Sequence, residues 1–426
     1  MQQVTRKKLG AGVNLTCVTT PKFKRAVVRA ALLLPLGGPD AALRAVLPQV
    51  LRRGTMRLPD LRAIGSELDE LYGARIEATV RKEGETLVIG FLSDVIDEQY
   101  AKGAAGLTAS VVRLLTDLLY DPYLQDGVFC ADYTAGERLN LLDRIAAQKD
   151  DPRAWAPKRL TELMCAEEVY GESALGTTAQ AEKITENKLF TAYQRALGEA
   201  QIELFYCGTM APDAIEGLFA AALPARKAEP LYAPQTEIIA APKAAPREIV
   251  EELAVTQGKL SLGFRTGGNC LTGGDPLAYW MFQTLYGVST SSKLFLNVRE
   301  KKSLCYYASA QFVSLKGVML VNSGIENKNF EIARDEILYQ LQLCKDGDIS
   351  DDEIESARKT LSGSWRALMD DPLQMERYWL TQAIAGTLQP PEERIEALKT
   401  VTRDRIVAAA NDTALDTVYF LKGAAK

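Results

Sequence analysis

Apolar positions along the first hundred residues change their period several times, and each change marks an element. Val13, Leu15 and Cys17 alternate with polar neighbours and predict a strand, while the nearly continuous Val, Ala and Leu run over 25–34 predicts a more deeply buried one. Leu43, Val46, Leu47, Val50 and Leu51 recur at steps of three and four, which predicts a helix capped by Asp40. A second helix is predicted over 59–72 and closed by Gly73, the residue type that most readily takes the left-handed conformation ending a helix. Residues 75–81 and 85–92, split by Glu83-Gly84, predict a hairpin, and 99–119 predicts a long covering helix.

The same order returns in the second half. A strand is predicted over 259–265, Asp275-Pro276 supplies a cap with proline in the first helical turn, and the helix over 277–286 stops at Gly287. A further helix over 289–302, a hairpin of 304–313 and 318–323 around Lys316-Gly317, and a covering helix over 330–343 follow. Gly84 and Gly317 occupy matching turns, giving an internal period of about 230 residues and predicting a duplication. Five of the 18 prolines lie within 224–246, a stretch without aliphatic periodicity that suits a connector. The expected organisation is α+β, with two homologous domains over 1–223 and 247–426 joined by the linker 224–246. Each domain is expected to be a mostly antiparallel sheet with helices on one face.

Composition narrows the chemistry. A chain of 426 residues, 47% apolar and 25% charged, exceeds what one hydrophobic core usually serves. The formal charge of −5, with Lys and Arg scattered, provides no positive field for a nucleic acid backbone, so no nucleic acid partner is expected. No apolar run reaches the length of a membrane span, and the segment after Arg6-Lys7-Lys8 is broken by Gly, Asn and Thr, so a cytoplasmic protein without a membrane partner is expected. The seven cysteines are widely spaced and never form C-x-x-C, against a disulfide framework or an all-cysteine zinc site. Most decisive, the chain contains no histidine, which removes imidazole-based triads, Cys-His pairs and histidine-ligated zinc.

The sequence over 275–310 nevertheless resembles the second domain of the M16 peptidases, the two-domain zinc peptidases that include mitochondrial processing peptidase. Ser291-Ser292-Lys293-Leu294-Phe295 and Arg299-Glu300-Lys301 through Tyr306 follow that family's pattern, with Ser303 standing where the family has glycine. Asp150-Asp151-Pro152 and the segment from Tyr170-Gly171 to Gly176 are similar to the family's first domain. An active member carries H-x-x-E-H on its first helix, two imidazoles one turn apart that hold zinc around a glutamate that activates the metal-bound water. Anchored on Arg53-Gly54-Thr55, those positions fall on Ala45, Pro48 and Gln49 here, and Pro48 is expected to kink the helix. With Glu137 matched to the first acid of the family's E-x6-E pattern, the third ligand falls near Arg144.

The resemblance therefore implies a non-catalytic member that holds no metal itself, zinc being expected only in a catalytic partner. It implies a peptide-binding subunit that pairs with a catalytic M16 chain or with itself; two-chain enzymes of this kind occur in the family, and an M16-like group associated with modification of bacterial elongation factor P is similar. Arg299 and Tyr306 match residues that reach substrate in active members, Tyr307 being the alternative phenol if the strand register shifts by one. A stand-alone peptide-binding or assembly protein, and an enzyme using Lys, Tyr or carboxylates on the same scaffold, are the other classes left open. Three local patterns read as ordinary structure. Ser356-Ala357-Arg358-Lys359 matches S-x-x-K but lies on a charged helix behind the capping box that starts at Ser350. Cys305 has no histidine to activate it, and the acid-rich stretch 346–355 lacks the spacing of a calcium loop.

Overall fold

The computed structural model describes residues 2–101, 103–226, 228–269 and 271–423. The first half runs β1 (Gln3–Gly10), β2 (Val13–Thr19), β3 (Arg25–Pro35), α1 (Ala41–Leu51), α2 (Leu61–Glu70), β4 (Arg75–Glu83), β5 (Thr86–Ile96) and α3 (Leu107–Tyr120). It continues through the short pair β6 (Leu124–Gln125) and β7 (Val128–Phe129), α4 (Ala131–Ala146), α5 (Pro152–Met164), α6 (Thr178–Ala181), α7 (Glu186–Glu199), β8 (Gln201–Gly208) and α8 (Pro212–Ala222). The second half runs β9 (Arg247–Leu253), β10 (Gly258–Arg265), α9 (Pro276–Gly287), a π-helix (Leu294–Lys301), β11 (Cys305–Val313), β12 (Val318–Ile325) and α10 (Phe330–Lys345). It ends with α11 (Asp351–Leu368), α12 (Pro372–Ile384), α13 (Pro391–Ala397), α14 (Arg403–Asn411) and β13 (Ala414–Gly423).

Apart from the additional edge strand β1, the two large sheets share one topology. The first has the order β4-β5-β3-β8-β2-β1 and the second β11-β12-β10-β13-β9, and among the described residues the one parallel pairing in each joins the final inserted strand to an early one, β8 to β2 and β13 to β9. Gly84 (φ +59°) and Gly317 (φ +67°) close the matching hairpins in the left-handed region, where a Cβ is unfavourable. Two departures from the pattern have local causes. The predicted helix over 99–119 begins only at Leu107, because Gly103 and Gly106, both at φ +77°, interrupt it. Asp40 does not cap α1 with its side chain; its carboxylate pairs with Arg195 at 2.5 Å instead.

The chain packs as two compact units that are not continuous in sequence. One comprises Met1–Ala146, Ser173–Gln235 and Leu368–Ile384, the other Ala147–Glu172, Thr236–Ala367 and Ala385–Lys426. A division at 224–246 alone thus differs from the packing in two segments: α5 belongs with the second sheet and α12 with the first. Both helices open on the same tripeptide, Asp150-Asp151-Pro152 and Asp370-Asp371-Pro372, in which the second aspartate accepts hydrogen bonds from the first-turn amides.

This exchange also covers the second face of each sheet, where helices were expected on one face only. Along β3, Ala26, Val28, Ala30, Leu32 and Leu34 enter the main core, while Val27 joins Val18, Phe205 and Cys207 beneath Met375 and Trp379 of α12. That two-sided burial explains the nearly continuous apolar run of β3, which only Arg29 interrupts. In the second unit, Ala156, Leu160 and Met164 of α5 cover Val318, Leu320, Tyr419 and Leu421 in the same way. Each exchanged segment also brings a carboxylate to a buried arginine on the central strand of its sheet. Arg29 lies 3.1 Å from Glu376 in one unit, and Arg265 pairs with Glu168 in the other, where Lys316 also reaches Glu168 at 2.7 Å. Among the described residues no helix is long and apolar enough to cross a membrane.

Candidate functional site

Helix α1 places the residues at the family's zinc positions. Its apolar spacing turns Ala45 wholly into the core and buries Pro48, so neither side chain reaches solvent. The helix continues through Pro48, whose carbonyl accepts from Arg52 N–H at 3.1 Å, while the Arg44 carbonyl one turn earlier receives no N–H from the proline. Gln49 is half-buried, and its Nε2 donates to the Ala78 carbonyl on β4 at 3.3 Å.

A cavity of about 520 Å³ opens beside this helix, lined among others by Gln49, Arg52, Arg53, Glu137, Asn140 and Arg144. The structure therefore brings Gln49, Glu137 and Arg144 to one place, while Ala45 stays in the core. Glu137 is already engaged: Arg53 Nε lies 2.6 Å from Oε1, and Asn140 Nδ2 donates to Oε2 at 3.0 Å. This ion pair ties the end of α1 to α4. The remaining polar groups, carboxamides, guanidinium cations and the single carboxylate Asp143, do not fit zinc, which needs several anionic or imidazole donors around a tetrahedral ion. Among the described residues no group of three or more His, Cys, Asp or Glu side chains is placed to hold a metal.

A second cavity of about 670 Å³ adjoins the first, with Gln49 and Arg52 lining both. Its wall follows β4 through Arg75, Ile76, Glu77 and Ala78. β4 is an edge strand, paired only with β5. Backbone N–H and C=O groups of one residue point the same way in an antiparallel strand, and the Ala78 carbonyl points toward Gln49. Ile76, Ala78 and Val80 consequently direct their backbone groups to the open edge.

Arg299 and Tyr306 both lie in the second unit. Arg299 sits on the π-helix, its guanidinium over the Phe295 ring at 4.6 Å and its Nε 3.5 Å from Glu300. Tyr306 is the extra residue of a β-bulge, since Cys305 pairs with Ile325 and Tyr307 already with Gly324. The bulge leaves the Tyr306 side chain 64% exposed, whereas the Tyr307 ring is covered by the Arg153 guanidinium at 4.4 Å. Just before it, Ser303 holds φ +50°, the conformation that glycine would adopt without a Cβ penalty. In the S-S-K motif, Lys293 pairs with Glu353 at 2.9 Å, and Glu353 also completes the capping box with Ser350.

The other local patterns resolve as packing. Ser356 shares a hydrogen bond with Ser291 at 2.6 Å, and Lys359 lies toward Glu355, so the S-x-x-K pair forms no nucleophile and base. Burial raises the Cys305 thiol above its ordinary value, against a Ser323 hydrogen bond and the Arg299 charge, so it is not an activated thiolate. Cys17, Cys130, Cys165, Cys207 and Cys344 are buried, and Cys270 lies outside the described residues. Arg52 and Arg75 were not singled out from the sequence. The Arg52-Arg53 doublet at the end of the apolar helix pattern was the available signal, but nothing local showed where the two side chains would converge.

These features define a two-part α+β zinc-peptidase scaffold whose metal-binding positions carry residues that cannot hold the ion. A family profile described as the peptidase M16 inactive domain matches residues 183–361. The chain is 34% identical over 417 residues to the probable inactive metalloprotease YmfF of Bacillus subtilis, covering 98% of this chain and 97% of that protein. It superposes on a conserved protein from Enterococcus faecalis with a TM-score of 0.87 at 25% identity, covering 99% of both chains. A peptidase M16 inactive domain from Pseudomonas fluorescens has a TM-score of 0.76 at 17% identity over 100% of this chain and 98% of that one. The chain belongs to the M16 peptidase family, as a homologue of its inactive members.

Proposed function

We propose that this protein binds extended peptide without cleaving it, and that it does so as the non-catalytic partner of an M16 chain that carries H-x-x-E-H, in the cytoplasm. The observation that supports the reading best is the pairing of two features in the first unit. The ligand positions hold Ala45, Pro48, Gln49 and Arg144, yet the edge of β4 remains open beside a cavity large enough for peptide side chains. Strand addition to such an edge gains main-chain hydrogen bonds with limited demand on sequence. Arg299 and the exposed Tyr306, both in the second unit, are proposed to contact peptide as well, on the family resemblance, as a fixed cation and a phenol suited to carbonyl oxygens.

The test is peptide hydrolysis measured with the purified protein alone, with a co-purifying H-x-x-E-H chain alone, and with both. The reading expects no chelator-sensitive hydrolysis from this protein alone and greater hydrolysis from the mixture than from the partner. Chelator-sensitive activity from the isolated chain would overturn it. Arg299→Ala and Tyr306→Phe should each reduce the mixture's activity while the complex still assembles; unchanged activity would remove these two residues from the peptide site.

A further inference from the structure

The charged side chains lining the cavity beside the family's zinc positions are mainly cations. Three guanidinium groups, Arg52, Arg53 and Arg144, line the cavity beside α1 together with Glu137 and Asp143. Arg53 and Glu137 satisfy each other at 2.6 Å. Among the described residues, Arg52 and Arg144 have no ion-pair partner, and the sole remaining acid of the lining is Asp143, exposed as Arg144 is. The cavity thus presents two uncommitted cations where an active member would present a metal and its carboxylate ligand.

Its position relative to the β4 edge matters as much as its charge. Gln49 and Arg52 line both this cavity and the one along 74–78, so a chain added to β4 passes the mouth of the cationic cavity. Gln49 holds the Ala78 carbonyl with its amide nitrogen, which leaves its amide oxygen free to accept a backbone N–H from such a chain. Guanidinium is the group best matched to carboxylate, because its planar donors bind both oxygens at once.

We infer that the cavity lined by Arg52 and Arg144 is a carboxylate subsite, selecting peptides that place an Asp, Glu or terminal carboxylate beside α1. This rests on the peptide-binding reading above and specifies its ligand. The experiment uses three fluorescein-labelled nonapeptides, identical except for Glu, Gln or Lys at the centre, with binding to the full-length protein followed by fluorescence anisotropy at low ionic strength. The Glu peptide is expected to bind at least about tenfold more tightly than the Lys peptide, as an attractive contact replaces a repulsive one at a partly exposed site. The preference should shrink as salt is raised.

In the Arg52→Gln/Arg144→Gln variant the preference should disappear while the Gln peptide binds within about twofold of its original affinity. Arg52→Lys/Arg144→Lys, which keeps the charges, should retain most of the preference, and this separates charge from a packing effect. Equal affinity for the Glu and Lys peptides, or a preference that survives the glutamine variant, would overturn the subsite. If none of the three peptides binds, the peptide-binding reading fails and the subsite falls with it.

Discussion

Removing the charge of Glu376 should unfold the first compact unit well before the second. Glu376 is 1% exposed and sits between two cations: the fully buried Arg29 at 3.1 Å and Arg81 at 3.2 Å. Burial lowers the Arg29 guanidinium to about 10, opposed mainly by the charge of Glu376, so Arg29 is still a cation at neutral pH. Arg29 Nη2 donates to Thr79 Oγ1 at 3.0 Å, but Nε and Nη1 have no hydrogen bond of good geometry, so its charge depends on Glu376 for compensation. Glu376→Gln keeps the shape and leaves that buried cation without the one carboxylate in contact with it among the described residues. Breaking such a pair from one side costs about 3–5 kcal/mol. With a urea dependence of about 2–3 kcal/mol per molar, the unfolding midpoint should fall by roughly 1–2.5 M.

The measurement is favourable because Trp379, one turn from Glu376, is the single tryptophan of the first unit; Trp155, Trp280 and Trp365 belong to the second. Fluorescence-monitored urea unfolding, with hydrogen exchange of peptides from 372–384, assigns the shifted transition to its unit. The double variant Arg29→Met/Glu376→Leu removes both charges and should lie within about 1 kcal/mol of the parent or above it. A Glu376→Gln cost below about 1 kcal/mol, or a double variant no better than the single one, would refute the reasoning that the pair is held together by the penalty of breaking it.

Three further outcomes are expected. Ser303→Gly should stabilise the second unit by about 1 kcal/mol by removing a left-handed Cβ penalty, raising its Tm by about 2–4 °C in calorimetry; a lower Tm would show that Ser303 is held by contacts rather than strained. Burial would raise Glu168, but hydrogen bonds from Arg265 and Lys316 outweigh it and hold the carboxylate below its usual value. Its contribution is therefore fully present above the unfolded-state pKa of about 4.3 and lost as pH falls below it, so Glu168→Gln should flatten the acid limb of the second unit's stability profile, followed by urea midpoints from pH 6 to 3. Grafting Ala45→His/Pro48→Glu/Gln49→His should give only weak zinc binding by calorimetry, because Arg144 faces the same cavity; adding Arg144→Glu should tighten it at least about tenfold. The histidine at Ala45, a position with no exposure, should also cost about 1–3 kcal/mol through overpacking.

Much of the candidate site was legible because its chemistry depends on residue type. A chain without histidine, with Ala45, Pro48 and Gln49 on one helix, lacks the H-x-x-E-H ligands wherever that helix packs. The cationic cavity was not legible, since Arg52 and Arg144 lie 92 positions apart in sequence (144 − 52) and only the packing of α1 against α4 makes them neighbours. The bulge at Tyr306 was likewise hidden, because it arises from register against β12 and not from any local feature of Cys305-Tyr306-Tyr307.

Local patterning was enough for the hairpins and their glycine turns, the helix and strand periods near them, and the repeat of that order across the two halves. These are short-range properties, set by backbone preference and by the alternation of apolar side chains. Tertiary structure alone decided that β8 and β13 enter the middle of their sheets, that α5 and α12 change places, and that Arg29 and Arg265 meet their carboxylates. Each of these joins residues more than 90 positions apart, where local propensity is silent. What selects the partner is the burial of a second sheet face and the cost of leaving an inward-pointing arginine without an anion.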